Sequence, residues 1–387
     1  MIKHKSFYTY EDFRKEAKNR IPRFVYDFID GGAGNETTLC RNKTALGSVR
    51  LIPRVGINVQ STSTETCILD RVYSAPFGIA PLGLYGLIHP DGDVIIARSA
   101  SKFKIPYIAS STSNTSIEKI SMAVGEAPWF QLYAPKSKEK LNDLLDRIQQ
   151  LECPVLVVTV DTAVPGKRLR DIRNGLNFPF KPTISNLVEV VKHPFWGCRR
   201  LVAGEIQFPN LAQLNKRSMP FRELMAWQTG GLLDWETLRY LRKYWPRKIL
   251  LKGVLSVDDA IHAKKIGIDA VIMSNHGGRQ LDCVPSPIDV LPEFRAHELS
   301  PSFLMLDSGV RSGEDVVKIL SMGASFTFVG RPILFWLAAN GTAGVNDLLS
   351  ILFDEVRDTM PLIGAASINE NNQLDYIRHE PTISYHC

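Results

Sequence analysis

The chain has 387 residues, of which 44% are hydrophobic and 22% are charged, and its formal net charge is +6. This composition is ordinary for a soluble globular protein with a large core, and the charge is too small to indicate nucleic-acid binding. The six cysteines are scattered without a C-x-x-C pair, which argues against a zinc site or a disulfide framework and favours a reducing cytoplasm. No signal peptide and no uncharged apolar run of roughly 18 residues is found, so a cytoplasmic protein without a transmembrane helix is expected.

Two helices are predicted near the N-terminus. Thr9 and Asp12 stand at capping-box spacing and begin the first helix. Pro22 suits the first turn of the second helix, which carries Tyr26 and which a glycine pair ends.

From residue 75 onward, short apolar runs alternate with helical segments. The runs are Phe77–Ala80, Pro106–Ala109, Trp129–Leu132, Val155–Val160, Ile249–Leu251, Ala270–Met273, Phe303–Leu306 and Phe326–Val329. The helical segments are Asp93–Lys102, Ser116–Val124, Ser137–Gln150, Asp234–Lys243, Val257–Lys265, Ser286–Phe294 and Gly313–Leu320. Eight strands alternating with helices predict an α/β protein, a (β/α)8 TIM barrel.

A single domain over residues 1–387 is predicted. It comprises an N-terminal helical segment (1–70), the barrel (71–345), and a C-terminal helix and tail (346–387). The connection after the fourth strand is far longer than the others, with an insertion at about 174–231. A loop of this length inside a barrel is usually functional or disordered.

Candidate ligand-contacting residues stand at the end of every predicted strand. They are Pro81, Leu82 and Gly83; Ser110 and Ser111; Gln131 and Tyr133; Thr159 and Asp161; Lys252; Ser274 and His276; Asp307, Gly309 and Arg311; and Gly330 and Arg331. The C-terminal strand ends of a barrel meet at one face, where active sites lie and where the last two loops commonly bind phosphate. Each residue alone could be structural, but together they indicate an active site. The densest stretch, from Ile249 to Asp282, places Lys252, His276, Arg279 and a double glycine at two adjacent strand ends.

Four motifs carry a family resemblance: LLKGV, SNHGGRQLD, FVYDFIDGGA and LDSGVRSGEDVVKIL. They resemble the FMN-dependent 2-hydroxy-acid dehydrogenases and oxidases, a family that includes glycolate oxidase and L-lactate dehydrogenase, over nearly the whole chain. HGGRQLDC, TSNTSIE and the basic insertion are most similar to the (S)-mandelate dehydrogenase branch. The resemblance implies oxidation of an (S)-2-hydroxy acid, mandelate-like or lactate-like, to the 2-oxo acid by a homotetramer, with electrons passed from FMN to a quinone or another acceptor.

The resemblance also implies residue roles. FMN would be bound by Ala80, Pro81, Leu82, Ser110, Gln131, Thr159, Lys252, Ser274, Asp307, Gly309, Arg311, Gly330 and Arg331. Arg168 and Arg279 would bind the substrate carboxylate, and Tyr26 and Tyr133 would bond the carboxylate and the hydroxyl. His276 would be the general base, with Asp161 as its partner. Lys252 would lie beside the flavin. Leu82 departs from the family, which usually has Thr there. Proton-first and hydride-first chemistry at C2 both fit these residues.

Two positions bear on substrate and acceptor. Thr112 stands where glycolate-oxidising relatives tend to carry Trp, which predicts room for a bulky, aromatic side chain. Gly83 stands where oxidase-type relatives commonly have Ala, which predicts a quinone acceptor rather than oxygen.

The insertion also predicts a peripheral contact with the inner face of the cell membrane through residues 174–220. This segment holds Lys181, Lys192, Arg199, Arg200, Lys216 and Arg217 against Glu189 and Glu205, a net charge of +4. Phe195 and Trp196 beside Arg199 and Arg200 resemble an apolar wedge with a basic flank. A solvated or subunit-packing loop is the equally weighted alternative.

Three other functions remain open from the residues. An oxygen-using 2-hydroxy-acid oxidase would need the same site. A Schiff-base aldolase-type barrel would use Lys252 as its nucleophile. A non-enzymatic module would bind an anionic surface through the basic segment, although the complete polar set at the strand ends counts against it.

Overall fold

The fold was analysed in a computed structural model, which describes residues 8–176, 183–212, 233–368 and 376–378. The helices are α1 Tyr10–Arg20, α2 Arg23–Asp30, α3 Thr37–Ser48, α4 Tyr85–Ile88, α5 Gly92–Lys102, α6 Ile117–Val124, α7 Lys138–Gln150, α8 Leu169–Arg173, α9 Ile184–Lys192, α10 Pro194–Ala203, α11 Pro209–Ala212, α12 Trp235–Tyr244, α13 Val257–Lys265, α14 Pro287–Ala296, α15 Gly313–Ser321 and α16 Arg331–Leu362. The strands are β1 Val49–Leu51, β2 Thr66–Ile68, β3 Arg71–Tyr73, β4 Phe77–Leu82, β5 Tyr107–Ser110, β6 Trp129–Leu132, β7 Val155–Thr159, β8 Lys248–Val254, β9 Ala270–Met273, β10 Leu304–Leu306, β11 Phe326–Val329 and β12 Tyr376–Arg378.

Strands β4 to β11 form the barrel. Each pairs in parallel with the next, and β11 closes on β4 through Thr327 opposite Phe77. The barrel interior is filled by alternate side chains, among them Trp129 and Phe328, whose ring centroids are 5.9 Å apart. The predicted (β/α)8 fold is therefore confirmed, and all polar strand ends meet at one face.

Local signals explain where the helices begin. The Thr9 side chain accepts a hydrogen bond from the backbone of Asp12, and the Asp12 carboxylate accepts one from Thr9 in return. Ser256 caps α13 in the same way by accepting from Asp259. These bonds satisfy amide groups that have no partner inside the helix.

The N-terminal helices pack against the C-terminal one. Phe13 of α1 stacks on Trp336 of α16 with ring centroids 4.1 Å apart. Helix α16 contains a break at Asn340 and Gly341, where φ of Gly341 is 57°. The domain boundary predicted at residue 345 therefore falls inside this helix.

The insertion after β7 contains helices where the sequence predicted a long loop. Helices α8 to α11 lie in the connection after β7, and two side chains of α10 bond carbonyl groups of α4. Trp196 donates to the Leu87 carbonyl at 2.9 Å, and Arg200 donates to the Gly86 carbonyl at 3.0 Å. The predicted wedge is therefore wrong for these two residues, because both side chains are used in packing. Lys181, Lys216 and Arg217 lie outside the described residues.

The described ranges contain neither a candidate membrane-spanning helix nor a candidate metal site. None of the helices there combines the length and apolar character needed to cross a bilayer. No group of three or more His, Cys, Asp or Glu side chains in those ranges could hold a metal ion. Cys40 is disulfide-bonded, which the scattered cysteines of the sequence did not predict.

Candidate active site

A cavity of about 470 Å³ opens at the C-terminal ends of the barrel strands. Its volume lies within the usual range for small-molecule sites. Among the predicted site residues it is lined by Ala80, Pro81, Leu82, Gly83, Ser110, Tyr133, Arg168, Lys252, His276, Arg279, Asp307, Gly309, Arg311, Gly330 and Arg331. Most of the predicted set is therefore brought together in one cavity.

His276 lines the cavity and forms a pair with Asp161. Nδ1 of His276 lies 3.0 Å from Oδ1 of Asp161, which leaves Nε2 as the nitrogen available to a ligand. Burial raises the pKa of Asp161, but the hydrogen bond and charge of His276 and the charge of Lys252 outweigh it and lower that pKa overall. The carboxylate is thus charged and can stabilise an imidazolium. The backbone of His276 is held at φ 58° by a hydrogen bond from its amide to Ser274.

Lys252 is the buried cation of the site. Its Nζ lies 3.0 Å from Oδ2 of Asp307 and donates to the hydroxyl of Ser274 at 2.9 Å. Only 5% of the Lys252 side chain is exposed, so its charge acts in a medium of low polarity. Ser308 donates to the other oxygen of Asp307, which fixes this carboxylate in place.

A chain of neutral polar groups begins at Ser110 and Thr112, which line the cavity. Gln131 donates to the Thr159 hydroxyl at 3.0 Å and accepts from the Ser110 hydroxyl at 3.0 Å. The Thr112 hydroxyl lies 3.0 Å from that of Ser110. All four side chains are buried, and because each partner fixes the next, they form an ordered hydrogen-bonding edge.

The loops after β10 and β11 form the end of the cavity suited to an anion. Gly309 adopts φ +107°, and Gly330 directly precedes α16, whose first amides have no partner inside the helix. Arg311 also lines this end, with its guanidinium 4.8 Å from the Tyr10 ring. Backbone amides and a guanidinium in this arrangement suit a phosphate group.

Two arginines contact the end of α2. Arg279 donates to the carbonyls of Phe28 and Gly31 at 2.7 and 3.0 Å. Arg331 donates to the carbonyls of Ile29 and Gly31 at 3.0 and 2.8 Å. Burial is the main cause that lowers the pKa of Arg279 to about 9 and the pKa of Arg331 to about 10. Because both values remain above 7, both side chains are charged at neutral pH. The negative end of the helix dipole stabilises these charges.

Tyr133 lines the cavity within the electrostatic influence of Asp161, Arg168 and Arg279. Burial and the charge of Asp161 raise the pKa of its hydroxyl, while Arg168 and Arg279 oppose that change. The phenol therefore stays protonated at neutral pH and can donate a hydrogen bond.

Five predicted site residues are not among those that line the cavity: Tyr26, Gln131, Thr159, Asp161 and Ser274. Tyr26 is the one of them that lies in α2. It packs in the core against Phe335, with ring centroids 5.8 Å apart. Phe28, two positions later, lines the cavity instead, 4.9 Å below the guanidinium of Arg279. Residues two positions apart in a helix are separated by about 200° around its axis, so Tyr26 and Phe28 cannot lie on the same face.

Two further residues of the cavity were missed from the sequence. Ser308 bonds both Asp307 and the amide of Gly277, so it links two loops. Asp171 lines the cavity beside the arginines. The sequence signal for Asp171 was its position three residues after Arg168, a spacing that brings two side chains together on one face of a helix.

The donor set of the cavity suits FMN. The amide of Gln131 and the ammonium of Lys252 match the polar edge of a flavin ring, and Asp307 can accept from a polyol. The loops at Gly309 and Gly330, described above, suit the phosphate. Lys252, Asp307, Gly309 and Gly330 line one cavity, and Gln131 is joined to it through Ser110.

Comparisons with known proteins agree with this geometry. A family profile of FMN-dependent dehydrogenases matches residues 17–378. An (S)-mandelate dehydrogenase of Pseudomonas putida is 36% identical over 97% of this chain and 95% of its own length. An L-lactate dehydrogenase of Xanthobacter autotrophicus is 36% identical over 95% of both proteins.

A solved structure shares the fold. It is a crystal structure of the monotopic membrane protein (S)-mandelate dehydrogenase, with a TM-score of 0.89 and 35% identity over 94% of this chain and 97% of that one. Because profile, sequence and structure match along almost the whole length, the chain belongs to the FMN-dependent dehydrogenase family, and FMN is its cofactor.

Proposed function

We propose that this protein oxidises an (S)-2-hydroxy monocarboxylic acid to the 2-oxo acid. The observation that carries the proposal is the placement of the His276–Asp161 pair and of Arg168 and Arg279 around one cavity of an FMN-dependent dehydrogenase. The two relatives that oxidise mandelate and lactate, by their names, support the substrate class. Bound FMN supplies the acceptor for two electrons.

The residues have distinct tasks in this proposal. Arg279 and Arg168 hold the carboxylate, since a planar guanidinium matches its two oxygens. Tyr133 donates to the substrate. His276 takes a proton at Nε2 while Asp161 stabilises the resulting imidazolium, the task for which histidine is suited near neutral pH. Lys252, fixed by Asp307, provides positive charge beside the ring.

FMN would be held at three places. The Ala80–Leu82 backbone with Ser110, Gln131 and Thr159 would contact the ring, and Lys252 with Ser274 would approach its other edge. Asp307 would accept from the ribityl chain. Gly309, Arg311, Gly330 and Arg331 would surround the phosphate, with Arg331 contributing its backbone amide because its side chain donates to α2.

A bulky side chain on the substrate fits the cavity best. Thr112 and Gly83 are small, and Leu84, Ile172 and Leu176 add apolar wall. Anaerobic reduction of the bound flavin by a panel of (S)-2-hydroxy acids tests this. Mandelate or phenyllactate is expected to give a higher kcat/KM than glycolate, and the reverse order would refute the proposed preference.

The acceptor is proposed to be a quinone reached at a membrane surface. Helices α9 and α10 expose seven large apolar side chains: Ile184, Leu187, Val188, Val191, Phe195, Leu201 and Val202. Such a patch marks an interaction surface in a soluble protein. Phe195 is 82% exposed, and the exposed Arg199 lies near it. A structural relative described as monotopic supports the membrane as the occupant.

Flotation with anionic liposomes tests the membrane contact. A variant with Val191, Phe195 and Val202 changed to Ser is expected to lose flotation. A control with exposed apolar residues elsewhere changed to Ser, at Val55, Val72 and Met122, is expected to retain it. Equal flotation of the two variants would refute the membrane proposal. If the patch is instead buried in the homotetramer that the family resemblance predicts, the variant changed at Val191, Phe195 and Val202 should dissociate. Light scattering of the same variants measures this.

Oxygen turnover separates the dehydrogenase from an oxidase. A quinone analogue should support faster turnover than oxygen, and equal rates would favour the oxidase. The aldolase alternative is weakened because the ammonium of Lys252 is engaged by Asp307 and Ser274. Borohydride with substrate should therefore leave the protein mass unchanged.

A further inference from the structure

The last described helix of the insertion packs behind the active-site cavity. Helix α11 contains Asn210 and Leu211, and both side chains are buried. Phe208, just before this helix, and Leu211 form a small apolar cluster against Leu84, which lines the cavity. The end of the insertion therefore contacts the cavity wall from outside, although the residues of α11 are not among those that line the cavity.

The side chain of Asn210 joins α11 to three neighbouring elements. Its Nδ2 donates to the carbonyls of Ser110 and Thr115, each at 3.4 Å, at the two ends of the loop between β5 and α6. Its Oδ1 accepts from the amide of Ile117 at 2.9 Å, and this first amide of α6 has no partner inside the helix. Arg147 of α7 donates to the same oxygen at 3.2 Å. Both polar atoms of this fully buried side chain therefore have partners.

A second asparagine fastens the same loop. The side chain of Asn114 donates to the Gln207 carbonyl at 2.9 Å and accepts from the Gly86 amide at 2.8 Å. The amide of Asn114 donates to the Asp93 carboxylate at 3.1 Å. The loop between β5 and α6 is thus bonded from behind by the insertion, by α4 and by α5.

The front of this loop carries two residues of the cavity. Ser110 and Thr112 line the cavity, and their hydroxyl groups lie 3.0 Å apart. The Ser110 hydroxyl also donates to the Gln131 side chain at 3.0 Å. Ser110 therefore bonds Asn210 with its carbonyl at the back and Gln131 with its hydroxyl at the front, so that a displacement at the back is passed to the cavity through one residue.

We propose that Asn210 is a positioning residue for the flavin-binding edge formed by Ser110, Thr112 and Gln131. The end of the insertion then has a task besides the proposed surface contact, because it holds the loop after β5 in the geometry that the flavin ring requires. The inference rests on the part of the proposed function in which Ser110 and Gln131 contact the ring, and it is independent of the substrate.

The experiment compares Asn210→Ala with Asn186→Ala as purified holoenzymes. Asn186 is the matched control, since it is a buried asparagine of the insertion whose side chain donates to the Asn174 carbonyl at 3.1 Å. Flavin absorbance reports the surroundings of the ring, and the fluorescence of FMN released on dilution gives its dissociation constant. Asn210→Ala should shift the flavin absorbance bands and raise the dissociation constant about fivefold or more, the value of one hydrogen bond. Asn186→Ala should keep the wild-type bands and a dissociation constant within about twofold of wild type.

Wild-type absorbance and FMN affinity in Asn210→Ala, or equal changes in the control, would overturn the inference. If Asn210→Ala does not fold, Asn210→Ser takes its place, and it should give a smaller shift of the same kind, whereas wild-type values would again overturn the inference.

A double-mutant cycle tests whether Asn210 acts through Ser110. Ser110→Ala removes the hydroxyl that donates to Gln131. In this background Asn210→Ala should raise the dissociation constant of FMN by a clearly smaller factor than in the wild type, because the two residues share one path to the ring. Equal factors in both backgrounds would contradict that path. If no 2-hydroxy acid reduces the wild-type flavin while Asn210→Ala still shifts its absorbance, the proposed reaction fails and the role of Asn210 stands.

Discussion

Oδ1 of Asp161 lies 3.0 Å from Nδ1 of His276, whereas Oδ2 is buried without a hydrogen-bond partner among the described residues. Gly253 brings the two residues into position, because its backbone, at φ +106°, passes so close that a Cβ there would meet Asp161 at 2.6 Å. The charged carboxylate of Asp161 can stabilise an imidazolium that forms on His276 during the reaction.

Replacing His276 by Gln should therefore retain FMN but lose reduction by the substrate. Loss of a general base costs about 10²–10⁴-fold, and mispositioning of the substrate adds to this. Stopped-flow reduction of the flavin measures the rate, and the flavin absorbance of the purified protein controls for cofactor content. Near-normal bleaching would remove His276 from this role.

Tyr26 and Tyr133 should differ in their effect on substrate binding. Because Tyr26 packs in the core and Tyr133 lines the cavity, Tyr133→Phe should raise KM or lower kcat by about tenfold, the value of one hydrogen bond. Tyr26→Phe should change either constant less than twofold. A larger effect of Tyr26→Phe on KM would restore the substrate contact predicted from the sequence.

Gly83 and Thr112 should be energetically coupled. A Cβ on Gly83 would lie 2.1 Å from Oγ1 of Thr112, so Gly83→Ala forces that hydroxyl away from Ser110. We expect Gly83→Ala to lower kcat/KM by about tenfold and to change the flavin spectrum. Adding Thr112→Ala should recover part of the loss. Additive effects in this double-mutant cycle would contradict the contact.

Asp93 should make the protein less stable at higher pH. Burial raises the pKa of Asp93 from 3.8 to about 6, so the folded state holds this proton more tightly than the unfolded state. The contribution of Asp93 to the free energy of unfolding is thus largest in acid and is lost as the pH rises through about 6. Between about pH 4.5 and pH 8 this contribution falls by roughly 2 kcal/mol. Asp93→Asn, with a neutral group, should lose this dependence in urea unfolding. The exposed control Asp143→Asn should retain it.

Much of the fold follows from local sequence chemistry. The strands Ala270–Met273 and Phe326–Val329 were predicted at their observed bounds, since each is a short apolar run with a polar or glycine residue directly after it. The capping box of Thr9 and Asp12 involves residues only three apart, so it too is visible in the sequence. The closing of eight such strands then brings their ends together.

The remainder depends on contacts between distant residues. Packing of α2 against α16 places Tyr26 beside Phe335, while Phe28 lines the cavity. Trp196 and Arg200 resemble a membrane wedge in sequence, but their partners, Leu87 and Gly86, lie over a hundred positions away. Contacts between residues so far apart in the chain produce no periodic pattern in the sequence.

The hydrogen bonds from Arg279 and Arg331 to the end of α2 have a consequence for synthesis of the chain. The carbonyls of Phe28 to Gly31 are made early, while their donors follow some 250 and 300 positions later. A ribosome must therefore release nearly the whole barrel before the substrate pocket exists. Incomplete nascent chains can build strands in order, yet none can acquire hydroxy-acid chemistry before residue 331 has emerged.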